Sequence, residues 1–227
     1  MRRTTPAPPQ PPRIEADLHQ PPLEAPADGA SVSRALLTDS DLTGIAARGL
    51  SVTETRLVDV DLAGARLRGL RLADVAIERG NLANVAAPEL SLRRVVVAGA
   101  RLTGAQWTGG TIADTVFRDC RIDLATFAGT TFDRATFEGC LLVQTDLAEA
   151  LLRSVRFDSC DLTEADLTGV RVDRCELRGC TLDGLVGLER LRGAAMPWPD
   201  VVANAAVFAA TLGIRVLDED APGSATP

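Results

Sequence analysis

Residues 160–184 divide into pentads without remainder: CDLTE, ADLTG, VRVDR, CELRG and CTLDG. Calling the central position of each pentad i, the five i residues are Leu162, Leu167, Val172, Leu177 and Leu182. The i−2 residues are Cys160, Ala165, Val170, Cys175 and Cys180, and every charge falls in the other three columns. Followed backwards, the register holds without a break to Ala30. It gives 31 i positions, all apolar, and 31 i−2 positions that are small, apolar, Ser or Thr. With 24% of residues charged, 62 charge-free positions arise by chance with odds of ~10⁻⁷ or below. A period of five matches neither a helix nor a strand. It matches a chain that turns a corner every five residues and presents i−2 and i to an interior. Four corners close a coil of twenty residues, and coils stack at the strand spacing of about 4.8 Å, so nearly eight coils make a rod of about 37 Å. Glycine at twelve of the 31 i+2 positions supplies permissive corners.

Residues twenty apart then sit one above another. One column reads Ala47, Leu67, Ala87, Trp107, Phe127, Leu147, Leu167, with Trp107 over Ala87 and near Gly110, which reads as volume compensation in a packed interior. Another holds Phe117, Phe137 and Phe157, a ladder of rings. Their obedience to the register reads as core packing rather than a ligand pocket. The five cysteines, Cys120, Cys140, Cys160, Cys175 and Cys180, all fall at i−2. They lack paired C-x-x-C spacing and read as small buried hydrophobes.

The pattern resembles the pentapeptide-repeat family, whose consensus is roughly A-(D/N)-L-x-x. Ser40-Asp41-Leu42-Thr43-Gly44 and Ala165-Asp166-Leu167-Thr168-Gly169 match it well. Asp or Asn occupies i−1 at Asp41, Asp61, Asn81, Asp146, Asp161 and Asp166, whereas seven of the 31 i−1 residues are arginine. The resemblance implies an all-β solenoid, a right-handed quadrilateral β-helix over 30–184, closed by a C-terminal α-helical cap.

Outside the repeat, residues 1–29 contain eight prolines and read as a flexible or polyproline II-like tail. Ile14, Leu18 and Leu23 are expected to fold over the open first coil. Residues 185–217 hold a cap or dimerisation helix from Val201 to Leu212, followed by a short strand at Ile214–Leu217, and 218–227 read as a second flexible tail. The helix is apolar almost all round, so it must be covered on more than one side. One side can cap the last coil and the other can meet a second copy. Trp198, Val201, Val202, Ala205, Phe208, Ala209 and Leu212 are the candidate interface of a homodimer; a cap tucked into its own chain is the alternative. This segment resembles the C-terminal helix of the mycobacterial-type, gyrase-interacting fluoroquinolone-resistance branch of the family. That resemblance implies a dimeric rod that imitates duplex DNA.

Composition narrows function further. The chain has 227 residues, a formal net charge of −7, one histidine (His19), no tyrosine, and arginine as its only basic residue type. Histidine-based triads, multi-histidine metal sites and lysine chemistry have no residues to build on. No enzyme activity, cofactor or metal is expected, nor direct nucleic-acid binding by an acidic chain. No apolar run is long enough to span a membrane. The odd cysteine count and the lack of an apolar leader read as a cytoplasmic location. Residues 30–134 carry 12 acids and 13 arginines, but 135–184 carry 10 acids and 5 arginines. Asp146, Glu149, Asp158, Asp161, Glu164 and Asp166 form the candidate acidic partner-binding surface. DNA gyrase is the specific partner the resemblance implies; a generic interaction scaffold with no topoisomerase role is the alternative.

Overall fold

The computed structural model describes residues 5–20 and 26–216. The chain winds as a parallel β-solenoid whose strands are β1 (Ser31–Ser33), β2 (Leu36–Thr38), β3 (Ser51–Val58), β4 (Arg71–Glu78), β5 (Ser91–Ala98), β6 (Thr111–Arg118), β7 (Thr131–Glu138), β8 (Leu151–Asp158), β9 (Arg171–Asp173) and β10 (Glu176–Arg178). Each partner lies twenty residues on: Ser51 opposite Arg71, Leu72 opposite Leu92, Phe117 opposite Phe137. The strands cover two adjacent faces of the coil. The third and fourth faces are held by single parallel bridges in the same register, such as Asp61 to Asn81 and Arg66 to Ala86. The four faces of one coil are therefore 51–53, 55–58, 60–63 and 65–68, with corners at 54, 59, 64 and 69.

All 31 i+2 residues, from Arg34 to Gly184, have φ between +48° and +71°. Nineteen of them are not glycine, so the corner conformation is imposed by the ladder on either side rather than chosen by the residue. A left-handed non-glycine residue costs about 1–2 kcal/mol. Leu124 is the conspicuous case, with φ of +59° and a side chain 58% exposed. Asn tolerates this region better, so Leu124→Asn is expected to stabilise the rod by about 1 kcal/mol, raising Tm by about 2–4 °C for a chain of this size. A calorimetric melt that is unchanged or lowered would count against corner strain at this position.

The interior is built as the two inward columns require. From Ala47 to Leu167 every i residue is buried, as is every i−2 residue from Leu50 to Cys180. Val32, Leu37 and Leu42 in the first coil and Val172 near the last are only half-buried, because an end coil has no second neighbour. The buried threonines at i−2 satisfy their hydroxyls on the backbone: Thr130 Oγ1 donates to Trp107 O at 2.8 Å and Thr145 Oγ1 to Ile122 O at 3.0 Å. Phe117, Phe137 and Phe157 stack at 4.8 and 5.0 Å, with planes 7° and 8° apart. Trp107 packs edge-on to Phe127 at 5.9 Å. Gly110 answers a different constraint from the one expected, since a Cβ there would lie 2.5 Å from Leu90 O. The N-terminal coils are aliphatic and less completely filled, leaving a cavity of about 130 Å³ among residues such as Leu37, Leu62 and Val85.

Both ends differ from expectation in instructive ways. Residues 5–20 do not project from the rod. They run along its side, with Ile14 and Leu18 beside Ala76 and Val96 rather than over the open coil, and His19 pairs in parallel with Ala35. That pairing covers part of the first rung's edge. Leu23 lies outside the described residues. At the other end a 3₁₀ turn (Leu188–Leu191) leads to α1 (Trp198–Ala203) and α2 (Ala205–Thr211). The single expected helix is thus broken at Asn204. Its buried side-chain Nδ2 donates to Asp200 O at 2.9 Å and to Cys180 O at 3.3 Å, tying the break to the shaft. Ile214, Arg215 and Val216 form no strand; Leu217 and 218–227 lie outside the described residues.

Candidate protein-binding surfaces

The outward faces are shaped by local hydrogen bonds. All six Asp or Asn residues at i−1 accept from the backbone N–H two residues on: Thr43 to Asp41, Ala63 to Asp61, Ala83 to Asn81, Ala148 to Asp146, Thr163 to Asp161 and Thr168 to Asp166. These are Asx turns, which the short carboxylate or amide makes without help from elsewhere in the chain. All six stand on the third or fourth face, leading into a turn. Asp146, Asp161 and Asp166 of the candidate acidic surface therefore also build the backbone that displays them.

The coil sorts charge more sharply than the linear sequence does. In 135–184 the third and fourth faces and their corners carry Asp146, Glu149, Asp161, Glu164, Asp166 and Asp183 and no arginine. The first two faces carry four acids and all five arginines of that stretch. Asp146 and Asp166 bridge directly, one rung apart. Glu149 extends over Gly169, and Glu164 accepts from Gln144 Nε2 at 2.6 Å. Five of the six candidate residues thus wrap one flank. Asp158 is the exception: it lies on the second face, one rung from Arg178.

The mixed-charge side pairs its ions along the corner column. Arg94 reaches back to Asp74, with Nε to Oδ1 at 2.6 Å, and Arg134 to Asp114 with bonds of 2.7 and 2.9 Å. These guanidiniums hold the Asp74 and Asp114 carboxyls below the usual carboxylate range, outweighing burial, which acts the other way. Backbone N–H bonds from Arg13 and Gln10 act in the same direction as the guanidiniums. The sign alternation of this column in the sequence is the signal for that pairing.

At the C-terminal end the candidate interface residues divide. Phe208 packs against the shaft's own core, together with Val207 from outside the candidate set, and Val201 and Ala209 are half-buried. Trp198 (75%), Val202 (57%) and Leu212 (75%) are exposed, with Ala205 beside them. Asp200, in the first turn of α1, accepts from Gly179 N–H at 2.7 Å and fixes the helix against the last coil. The cysteines are buried and unpaired, and burial pushes the Cys175 thiol up to about 12. Among the described residues no cluster of three His, Cys, Asp or Glu side chains is arranged to hold a metal, and no helix is long and apolar enough to cross a membrane.

One surface was not anticipated. The i−1 column of the second face reads Arg56, Ala76, Val96, Val116, Thr136, Arg156, so an uncharged stripe runs from Ala76 to Thr136 between two arginines. The proline-rich segment lies along it. The stripe is visible when residues are read twenty apart, whereas its occupant depends on a contact about a hundred residues distant in sequence.

Residues 110–186 match the family model for a pentapeptide repeat region. No curated protein sequence matches the chain. Among solved structures the chain is similar to HetL, a pentapeptide repeat protein involved in heterocyst differentiation regulation from the cyanobacterium Nostoc sp. strain PCC 7120. Identity is 18% and the TM-score 0.43, over 75% of this chain and 91% of that one. It is also similar to a trypsin-treated form of QnrB1, a plasmid-mediated fluoroquinolone resistance protein, at 16% identity and TM-score 0.39, over 83% of this chain and 100% of that one. A third, Rfr23 from the cyanobacterium Cyanothece 51142, has 19% identity and TM-score 0.30, over 43% of this chain and 60% of that one.

Proposed function

We propose that this chain, a pentapeptide-repeat protein, is a non-enzymatic rod that binds another protein through the acidic flank of its C-terminal half. The observation that carries the reading is the sorting of charge: six carboxylates and no arginine over two faces of the last coils. A single-sign flank on a rigid scaffold steers and orients a basic partner. Fixed spacing comes from the Asx turns and the rung repeat, so the carboxylates need little ordering on binding. A non-enzymatic role fits the chemistry available: the one histidine is engaged through its backbone at the shaft edge, and all five thiols are buried. Five unpaired cysteines also fit a reducing, cytoplasmic setting.

The finer form of the proposal is a homodimer that imitates duplex DNA and engages DNA gyrase, altering the enzyme's response to topoisomerase inhibitors. Its support is that the acidic coils lead into the C-terminal helices, where Asp200 and Asn204 bond the last coil at Gly179 and Cys180 and Trp198, Val202 and Leu212 are exposed. A two-fold contact there brings two acidic flanks together at the centre of one longer rod.

Gyrase supercoiling assays with and without a fluoroquinolone test this form. The intact protein is expected to change supercoiling or inhibitor sensitivity, and Glu149→Lys/Glu164→Lys to weaken that effect at least tenfold, because both side chains are exposed corner charges. Absence of any effect from the intact protein removes the gyrase reading and leaves an interaction scaffold without a topoisomerase role. Light scattering on Val202→Glu separates the dimer from the cap-only alternative: a halved mass is expected, and a wild-type chain that is already monomeric would end the dimer reading.

A further inference from the structure

From Pro6 to Arg13 the chain reads Pro-Ala-Pro-Pro-Gln-Pro-Pro-Arg. Proline has no N–H, so the backbone donors of this stretch belong to Ala7, Gln10 and Arg13, three residues apart. A polyproline II helix turns once in three residues and rises about 9.3 Å in doing so. Two rungs of the shaft span about 9.6 Å. The contacts follow this near-match. Gln10 N–H donates to Asp114 Oδ1 at 3.1 Å, and Arg13 N–H donates to Asp74 Oδ1 at 2.9 Å. The two acceptors stand forty residues apart, two rungs along the same corner. In each case the same Oδ1 also accepts from the arginine of the intervening or following rung, Arg94 Nε at 2.6 Å and Arg134 Nε at 2.7 Å.

The segment's burial has the same period of three. Pro6 is buried and Pro9 and Pro12 are half-buried, whereas Ala7, Pro8, Gln10, Pro11 and Arg13 are exposed. One edge of a three-fold helix thus faces the shaft. Beneath it, on outward-pointing positions, Ala76 and Thr136 are buried and Val96 and Val116 half-buried. A β-strand could not make this fit, because residues three apart on a strand point to opposite sides.

We propose that the corner 74–134 and the stripe beside it form a polyproline II-binding site for segments of the pattern X-Pro-Pro-X-Pro-Pro. Residues 6–13 are its intramolecular occupant, and a proline-rich segment of another protein binds by displacing them. The shaft supplies carboxylates two rungs apart for the Gln10 and Arg13 N–H groups and an apolar rail for Pro6, Pro9 and Pro12. The site lies on the first two faces, away from the acidic flank, and does not depend on what that flank binds. A tethered occupant acts at an effective concentration of about millimolar, so the intact chain resists a competing peptide.

The test uses the full chain and its Gln10→Pro/Arg13→Pro variant, which removes both donors while keeping a backbone compatible with polyproline II. The probe is a fluorescein-labelled peptide of residues 5–14. Anisotropy titration is expected to show the variant binding the peptide at least tenfold more tightly than the wild type. Adding Asp74→Ala/Asp114→Ala is expected to abolish that gain. No binding to the variant, or binding indifferent to the two aspartates, would overturn the proposal. Hydrogen exchange on the wild type gives an independent reading: the Gln10 and Arg13 amides are expected to exchange at least tenfold more slowly than in the isolated peptide, and equal rates would also overturn it.

Discussion

Leu102→Arg is expected to abolish the cooperative melting transition of the rod. Leu102 is fully buried at an i position, in a column with Leu82, Ile122 and Leu142 that are buried too. A guanidinium there has no carboxylate to meet, because neither inward column contains a charge anywhere in the repeat. An uncompensated buried ion costs several kcal/mol, against a total stability of about 5–15 kcal/mol for a folded domain. A solenoid has no way to route around the defect, since each coil contacts only its neighbours. Two controls separate register from mere hydrophobicity. Leu102→Met keeps volume and should cost under about 1.5 kcal/mol. Leu141→Arg changes the same residue type at an outward i−1 position whose column already holds Arg121 and Arg101, one and two rungs away, and should stay within about 0.5 kcal/mol. Circular dichroism melts decide the matter: a wild-type transition in Leu102→Arg would contradict the inward register.

Phe137→Ala is expected to be the costliest truncation within the shaft. Its ring is fully buried and stacked on both sides, against Phe117 at 4.8 Å and Phe157 at 5.0 Å, and it also meets Phe132 at 5.9 Å. Removing it leaves a cavity that rungs pinned by backbone pairing cannot close. A loss of about 4 kcal/mol follows, which lowers Tm by about 8–16 °C for a chain of this length. Phe157 stacks on one side only among the aromatic pairs, so Phe157→Ala should cost less. Equal losses at the two positions, measured by thermal denaturation, would show that stacking adds nothing beyond area.

The shaft was legible because its constraint is local and repeated. A residue in the i column is buried by its own coil and the two beside it, so Leu62, Phe132 and Leu182 announce their positions by spacing alone. The same spacing exposed the Phe117–Phe137–Phe157 ladder and the Asp74–Arg94 and Asp114–Arg134 pairs. Glycine was a less faithful guide. Twelve corners carry it, yet Glu54, Arg94 and Leu124 adopt the same left-handed conformation without it, because paired rungs on both sides outweigh a cost of about 1–2 kcal/mol.

The acidic flank was only half legible. A count over 135–184 averages round the coil, mixing Arg153 and Arg171 of the first face with Asp146 and Asp166 of the fourth. The imbalance is visible in the sequence, but the absence of arginine from the third and fourth faces of that stretch emerges only after folding residues into faces. Glu149 and Glu164 could be found by position; that Asp158 stands apart from them could not be read from a composition window.

The sequence by itself determined the interior: two charge-free columns at a period of five leave a four-cornered coil as the way to bury both at once. Only the tertiary structure decided what lies on that coil and how it ends. The docking of Gln10 and Arg13 on Asp114 and Asp74 joins residues 104 and 61 positions apart. The break at Asn204 depends on Cys180, 24 residues earlier and itself placed by the rungs before it. Neither event repeats, so neither leaves a period. Each depends on one contact between segments whose own propensities, for a free polyproline helix and for an unbroken α-helix, point elsewhere.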